Sequence, residues 1–529
     1  MDGMMAGAPG TDGAGAQTPE AAQARHAAAL LAEMGELLAQ VRRDGAATLA
    51  GWGPRLERRR FRLSAGNFAR YLALRHHDLR PLQTALMPLG LSSLGRCEGR
   101  VEETLSAVIL ALAALAGQGM APAGAGPAAP PAGVRAPGAR RYFRGERWLR
   151  ANTARLFGPR PDPAHDPGPA GRQVRILVTL PPEAATDPAL LHDLVAAGTD
   201  AVRINCAHDG QAAWAAMIAN LRAAEAACGR RVAVLMDLAG PKVRTGAVLA
   251  ARKRVRLGER ILLTRAAPEA RADAPFQAQC SIPAILDRVR VGQPVFIDDG
   301  KLGGTVETVD AAGVWLRLTR AGPEGEKLKP EKGLNFPETD LGLAALTEED
   351  RRDLDFVAAQ ADLIGYSFVQ SPADVAELQA ELERRRPLDW RQLGLIAKIE
   401  TPKAVRNLPG IIVAAAGRQP FGLMIARGDL AVELGFERTA EMQEEMLWLA
   451  EAAHVPVIWA TQVLETLVKK GLPTRGEMTD AFMAGRADCV MLNKGPRVVD
   501  AVQALDRLLS RLAENQVKKT PKLRALRSW

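Results

Sequence analysis

An α/β fold built on a (β/α)8 TIM barrel, with an inserted small all-β lid domain and an α-helical N-terminal module, is the fold class this sequence predicts. Three observations predict it. From about residue 172 onward, eight short β-branched runs alternate with amphipathic helical stretches. One interval, from about Ala247 to Pro337, breaks that alternation with β-like segments, turns and no convincing helix. The chain before the barrel has helical periodicity instead. Eight strands, each leading toward a helix, is the number that closes a parallel barrel.

Taken in order, residues 1–20 form a Gly/Ala/Pro tail with no means of burying a core, and are expected to be disordered. Residues 21–116 carry apolar residues at helical spacing in AAQARHAAALLAEMGELLAQVRR and again in GRVEETLSAVILALAALAG. Shorter helices between them are expected to break at Pro81, Pro88 and Gly90. Residues 117–171 read as a Pro/Gly/Ala-rich linker. The barrel is expected at 172–246 and 338–515, from the runs VRILVTL, DAVRIN, RVAVLMD, DLIGYSF, LGLIAKIE, FGLMIARGD, VPVIWAT and CVMLN. The insertion at 247–337 (RVRLGERILLTR, QPVFIDDGKLGGTVETV, GVWLRLT) reads as a β-barrel lid over the barrel mouth, and 516–529 as a basic tail.

Composition narrows the class. Hydrophobic residues make up 47% but aromatics only 4%, so the core is built from Leu, Val, Ile and Ala, which suits helices and parallel strands. The five cysteines, Cys97, Cys206, Cys228, Cys280 and Cys489, are scattered and never in a CxxC pair. That indicates reduced thiols in a cytoplasmic protein and no zinc site. No apolar run reaches membrane-span length, and the N-terminus lacks the order of a signal peptide. Residues 1–172 hold 22 Arg and no Lys against 14 acidic residues. Those arginines are spread through helical stretches without interleaved aromatics, which reads as a solvated surface and not as a nucleic-acid interface.

Barrel enzymes place their sites at the C-terminal ends of the strands. Here strand two ends in Arg203 and Asn205, strand three in Asp237, strand five in Lys398 and Glu400, strand six in Arg427 and Asp429, and strand seven in Thr461 and Gln462. One such charge is usually a structural pair; polar ends on five of eight strands point to a site. Glu400 and Asp429 suit a hard divalent cation such as Mg2+ (or Mn2+), and Arg203, Arg244 and Lys398 suit phosphate oxygens. That residue set fits phosphoryl transfer, and no Ser/His/Asp or Cys/His set accompanies it. In ARGDL, the amides of Gly428 and Asp429 at a helix start would face a small anion.

The segments VRINCAHDG, VLMDLAGPKVRTG, VFIDDGKL, EKGLNFP, AKIETPKAV, MIARGDLAVEL and PVIWATQVLETLVKKGLPTRGEMTD resemble, in order and spacing, the signatures of the pyruvate kinase family, and ADCVML resembles its last barrel strand. The resemblance spans roughly Arg172 to Leu512. It implies phosphoenolpyruvate/pyruvate and ADP/ATP as reactants, and a set of residue roles. Glu400 and Asp429 match the Mg2+ ligands, Lys398 the lysine that neutralises phosphoryl group and enolate, and Arg203 the arginine on the transferring phosphate. The amides of Gly428 and Asp429, with Thr461, match the substrate-carboxylate site, and Thr461 also matches the proton relay to the enolate carbon. Asn205, His208 and Arg244 match nucleotide- and phosphate-side positions, Lys332 a lid lysine near the nucleotide phosphates, and Ser367 and Phe368 the end of the fourth strand.

Departures from the family pattern carry their own expectations. Two hydroxyl ligands of the family's K+ site are replaced by Ala207 and Leu238, while Asn205 and Asp237 remain. Lys242 stands where K+-dependent members carry Glu, so its ammonium is expected to substitute for the monovalent cation and K+ should not be required. The family's SGETAKG loop is NKGPRVVDA here, with Asn493 and Lys494, which alters the nucleotide side. The family's effector-binding C-terminal domain has no counterpart before Trp529, so sugar-phosphate activation is not expected. A dimer through barrel helices is the expected homo-oligomer, and the N-terminal module has an unknown partner. Two other readings compete: a Mg2+-dependent barrel lyase or aldolase acting on a pyruvate enolate, disfavoured by VFIDDGKL and EKGLNFP, and a catalytically silent interaction protein, disfavoured by the joint presence of Lys398, Glu400, Asp429 and Thr461.

Overall fold

The structure is a computed structural model that describes residues 19–91, 93–118, 130–131, 133–160 and 171–522. Most of the expected disordered tail (1–18), parts of the expected linker (119–129, 132 and 161–170) and the chain end (523–529) lie outside the described residues. The chain divides into two units, Met1–Gly51 with Gly66–Gly145, and Trp52–Ala65 with Glu146–Trp529.

In the first unit, helix Pro19–Trp52 buries Ala27, Leu30, Leu31, Met34, Leu37, Leu38 and Val41, the apolar stripe of its 3.6-residue period. Helix Val101–Gln118 buries Leu105, Ile109 and Leu112 completely. Glu102 of the second helix pairs with Arg42 of the first at 2.9 Å, and with Arg70 of helix Arg59–Arg75 at 3.1 Å. Pro81, expected to break a helix, instead sits in the first turn of Arg80–Leu86, where its missing N–H costs nothing.

The second unit holds a closed barrel of eight parallel strands: β1 (Arg175–Thr179), β2 (Ala201–Asn205), β3 (Ala233–Asp237), β11 (Leu363–Tyr366), β12 (Gly394–Ile399), β13 (Phe421–Ala426), β14 (Val457–Ala460) and β15 (Cys489–Leu492). They neighbour one another in sequence order and β15 closes on β1. Every residue of β12 and β13 is buried, which is why these strands read as unbroken apolar runs and not as alternating ones. Capping boxes start three of the outer helices, with Thr347 and Asp350, Ser371 and Asp374, and Thr474 and Glu477 as the reciprocal pairs.

Between β3 and β11 the lid forms one seven-stranded sheet from β4 (Thr245–Ala250), β5 (Arg260–Thr264), β6 (Phe276–Cys280), β7 (Pro294–Ile297), β8 (Leu302–Asp310), β9 (Gly313–Arg320) and β10 (Leu334–Asn335), in the order β10-β7-β8-β9-β5-β6-β4. The lid expected as a β-barrel is thus a seven-stranded sheet that ends on β10 and β4. Its two edges are joined beside the bridge Arg244–Gly333 by backbone hydrogen bonds from Thr245 N to Lys332 O at 2.7 Å, Glu331 N to Thr245 O at 2.8 Å and Leu334 N to Val243 O at 2.9 Å.

The stretch expected as a linker differs most. It contains helix Arg144–Phe157, whose Leu156 and Phe157 share one buried cluster with Leu177, Ala201, Leu235, Leu363, Ile396, Met424, Ile458 and Cys489. Those eight residues come one from each barrel strand, so the cluster that Leu156 joins spans the whole ring of strands. Leu156 is therefore a stopper at the N-terminal end, where Gly394 and Gly422 leave room for its methyls. A Pro-rich flank hides this short apolar end from a compositional reading. Leu156→Ala is expected to lower unfolding free energy by about 2–5 kcal/mol, the range for a buried leucine; a denaturant midpoint unchanged from wild type would remove the stopper assignment. At the other end, part of the expected tail pairs as Gln516–Val517 with Thr520–Pro521, and Lys518 meets Asp488 at 2.7 Å. Among the described residues no helix is long and apolar enough to cross a membrane.

Candidate active site

Strand register brings the polar ends together. Asn205 of β2 and Gly365 of β11 both pair with Asp237 at the end of β3. A Cβ on Gly365 would lie 2.5 Å from Asp237 Oδ1, so the glycine makes room for that carboxylate. Asp237 is completely buried and acts as a hub. Arg203 Nε donates to its Oδ2 at 2.7 Å, and Lys398 Nζ lies 3.3 Å from the same oxygen. Burial alone would raise the Asp237 pKa, but the charges of Lys398 and Arg203 outweigh it and hold the group below the usual carboxylate range.

Lys398 is the second hub. Its ammonium is buried, donates to Ser367 Oγ at 2.7 Å and pairs with Glu400 Oε1 at 3.0 Å. Burial pushes its pKa down, yet Asp237 and Glu400 together push it up, so the lysine stays charged. A charged lysine cannot act as a base toward Ser367, whose hydroxyl donates instead to Leu238 O at 2.6 Å, so this pair is not a nucleophile. Glu400 also accepts from the Phe368 amide at 2.7 Å. Burial, opposed by Lys398 and reinforced by Asp429, raises its pKa. The donor set, the hard carboxylate oxygens of Glu400 and Asp429, fits Mg2+ with its remaining positions left to substrate and water.

Strand β13 runs directly into helix Arg427–Leu434, with no intervening loop. Gly428 sits against the end of β14: a Cβ there would come within 2.9 Å of Thr461 Cγ2, which only glycine avoids. Thr461 has φ 74° and Gln462 φ 59°. A left-handed β-branched residue stores on the order of 1–3 kcal/mol of strain, and such residues cluster at functional sites. Asp429 Oδ1 accepts from Lys242 Nζ at 2.8 Å. Lys242 thus lies against a candidate metal ligand, while Asp237, the surviving carboxylate of the K+ pattern, is paired with Arg203 and Lys398.

The nucleotide-side residues gather less completely. Arg203, Asn205 and His208 line one cavity of about 360 Å3 together with Thr179, Lys469 and Lys494. Partial burial, then the charges of Lys494 and Arg244, keep His208 below the usual imidazole range, so it is neutral near pH 7. Arg244 donates to Glu331 O at 3.3 Å, and Lys332 pairs with Asp298 at 3.2 Å, both within the lid. The structure does not join Lys332 to the barrel cluster.

Residues 171–496 match the model for the pyruvate kinase barrel domain. The chain belongs to the pyruvate kinase family. It is 33% identical to a pyruvate kinase of Mycobacterium intracellulare over 357 residues, 66% of this chain and 72% of that protein. It is also 33% identical over 345 residues to one of Aeropyrum pernix, covering 64% and 70% respectively, and 33% identical over 344 residues to one of Methylorubrum extorquens, covering 64% and 68%. As a member of the pyruvate kinase family it is an enzyme, and the matched span includes every barrel strand.

Sequence reasoning passed over three groups beside these residues. Thr179 receives an Arg203 hydrogen bond at 3.3 Å. Glu433 accepts from Asn335 of the lid at 2.8 Å, and burial, opposed by Asn335 and reinforced by Asp429, pushes its pKa up to about 7. Its position one turn after Asp429 on the same helix was the available signal. Asp480 lies on helix Arg475–Ala484 and grips Arg427, a pairing that no local pattern announces.

Proposed function

We propose that this protein transfers the phosphoryl group of phosphoenolpyruvate to ADP, giving pyruvate and ATP. The observation that carries the reading is the convergence of Lys398, Arg203, Asp237 and Glu400 at the strand ends within a pyruvate kinase barrel. The P–O bond to the enol oxygen breaks as a new one forms to the β-phosphate of ADP, and the enolate left behind takes a proton at C3. Arg203 and Lys398 neutralise charge as it redistributes between phosphoryl oxygens and enolate, where fixed cations in a water-poor site act most strongly. Gly428 and Asp429 present amides to the substrate carboxylate, and Thr461 passes the proton. Glu400 and Asp429 would hold Mg2+ or Mn2+, which when bound supplies Lewis-acid charge to the phosphoryl oxygens. His208, Lys494, Arg244 and Lys332 serve the diphosphate. A coupled assay for pyruvate, with the diphosphate acceptor varied in turn, tests the reading; no pyruvate with any acceptor overturns it.

Lys242 carries the monovalent-cation part of the proposal. Ala207 and Leu238 offer no side-chain oxygen, whereas a tethered ammonium supplies one positive charge at any salt composition. Turnover in tetramethylammonium is expected to match turnover in K+ within about twofold, a difference of about 0.4 kcal/mol in the barrier. Lys242→Glu is expected to lower it in both. An enzyme that stays nearly inactive until K+ is added would remove this role from Lys242.

A further inference from the structure

Arg427 immediately precedes the two amides proposed to hold the substrate carboxylate, yet its side chain is committed to the neighbouring strand end. Nε donates to Ala460 O at 3.0 Å and Nη2 to Thr461 O at 2.6 Å. Nη1 and Nη2 also grip both oxygens of Asp480, at 2.5 and 2.8 Å. The guanidinium lies 4.7 Å from the centre of the Trp459 ring. Its side chain is 16% exposed, so these bonds are shielded from competing water. Four donations in a planar fork leave the group one geometry.

What that fork holds is a residue whose backbone lies in the left-handed region. Thr461 is β-branched and left-handed, and its carbonyl is fixed by Arg427 while its methyl packs on Gly428. One residue therefore ties both halves of the carboxylate pocket: its backbone opens the helix that carries Gly428 and Asp429, and its guanidinium fixes Thr461.

We propose that Arg427, clamped by Asp480, is a positioning residue that aims the Thr461 hydroxyl at C3 of the enolate. The inference rests on the phosphoenolpyruvate reading and assigns the control of its last step. Once the phosphoryl group has left, the C2–C3 electron pair of the enolate takes the proton of Thr461 Oγ1, the enolate oxygen becomes the ketone oxygen of pyruvate, and Thr461 regains a proton from solvent. Arg427 touches none of these atoms. Loss of the clamp slows protonation and leaves the phosphate contacts of Arg203 and Lys398 in place.

Arg427→Lys keeps the charge and loses the fork; Asp480→Asn keeps the shape and loses the charge. For Arg427→Lys, kcat is expected to fall about 10- to 100-fold while KM for phosphoenolpyruvate stays within about threefold, and the solvent deuterium isotope effect on kcat to rise as protonation becomes rate-limiting. Asp480→Asn is expected to move the same quantities in the same direction by less. Should Arg427→Lys fail to fold, Asp480→Asn carries the test. Wild-type kcat and isotope effect per folded enzyme, or a rise in KM alone, would overturn the proposal. Crystal structures of the variants give a readout without turnover: Thr461 leaving the left-handed region supports the clamp, and a φ still near 74° refutes it. A wild-type enzyme that makes no pyruvate would defeat the functional reading, while the Thr461 backbone would still decide the clamp.

Discussion

Replacing Lys398 by Met is expected to lower turnover by about a thousandfold or more, about 4 kcal/mol of transition-state stabilisation, with divalent-metal binding retained. Lys398 joins Asp237 to Glu400, and among the described residues it is the one cation whose ammonium meets both carboxylates. Its charge matters most where negative charge moves from the phosphoryl oxygens to the enolate, so the loss should appear in kcat more than in KM. Methionine fills most of the vacated volume and restores none of the charge. Ser367 loses its donor, and Asp237 keeps Arg203, so the carboxylate stays paired and the barrel stays folded. Titration with Mn2+ and steady-state kinetics on the purified variant check both halves. A variant that retains even a tenth of wild-type turnover would show that Lys398 is a structural partner of Asp237 and no more.

Glu400→Gln and Asp429→Asn are each expected to reduce turnover by about two to four orders of magnitude and to weaken Mn2+ binding in parallel, because each removes one of the two charged oxygens proposed to hold the metal, with no larger ligand cluster around them. The absence of a larger cluster of candidate ligands holds among the described residues. The two variants should differ in detail. Glutamine at 400 can still accept from the Phe368 amide, so the loop stays in place and only charge is lost. Asparagine at 429 weakens the Lys242 ion pair, so its ammonium gains freedom as metal affinity falls. Both proteins should melt cooperatively near the wild-type temperature. Full turnover of wild type in excess EDTA would defeat the metal assignment outright.

Much of this site was legible from the chain. Glu400, Asp429, Lys398, Arg203 and Thr461 each follow an apolar run, and barrel topology sends every such residue to the same end of the molecule. Short apolar runs alternating with helical stretches of period 3.6 located all eight strands, since a strand covered on both faces leaves an unbroken apolar run. Glycines at 365 and 428 mark close approaches whose partners, Asp237 and Thr461, lie far away along the chain.

What the chain could not announce were the pairings that depend on distant segments meeting. Asp480 grips Arg427 across 53 residues, and Leu156 closes a barrel that begins only at Arg175. Lys242 was singled out by its place in a motif, but its meeting with Asp429, 187 residues away, belongs to the folded molecule. The sequence by itself determined which groups arrive at the mouth of the barrel, because periodicity and strand ends are local properties of the chain. Only the tertiary structure decided how those groups share charge, since a hydrogen bond or an ion pair is set by distances of about 3 Å that no one-dimensional pattern encodes.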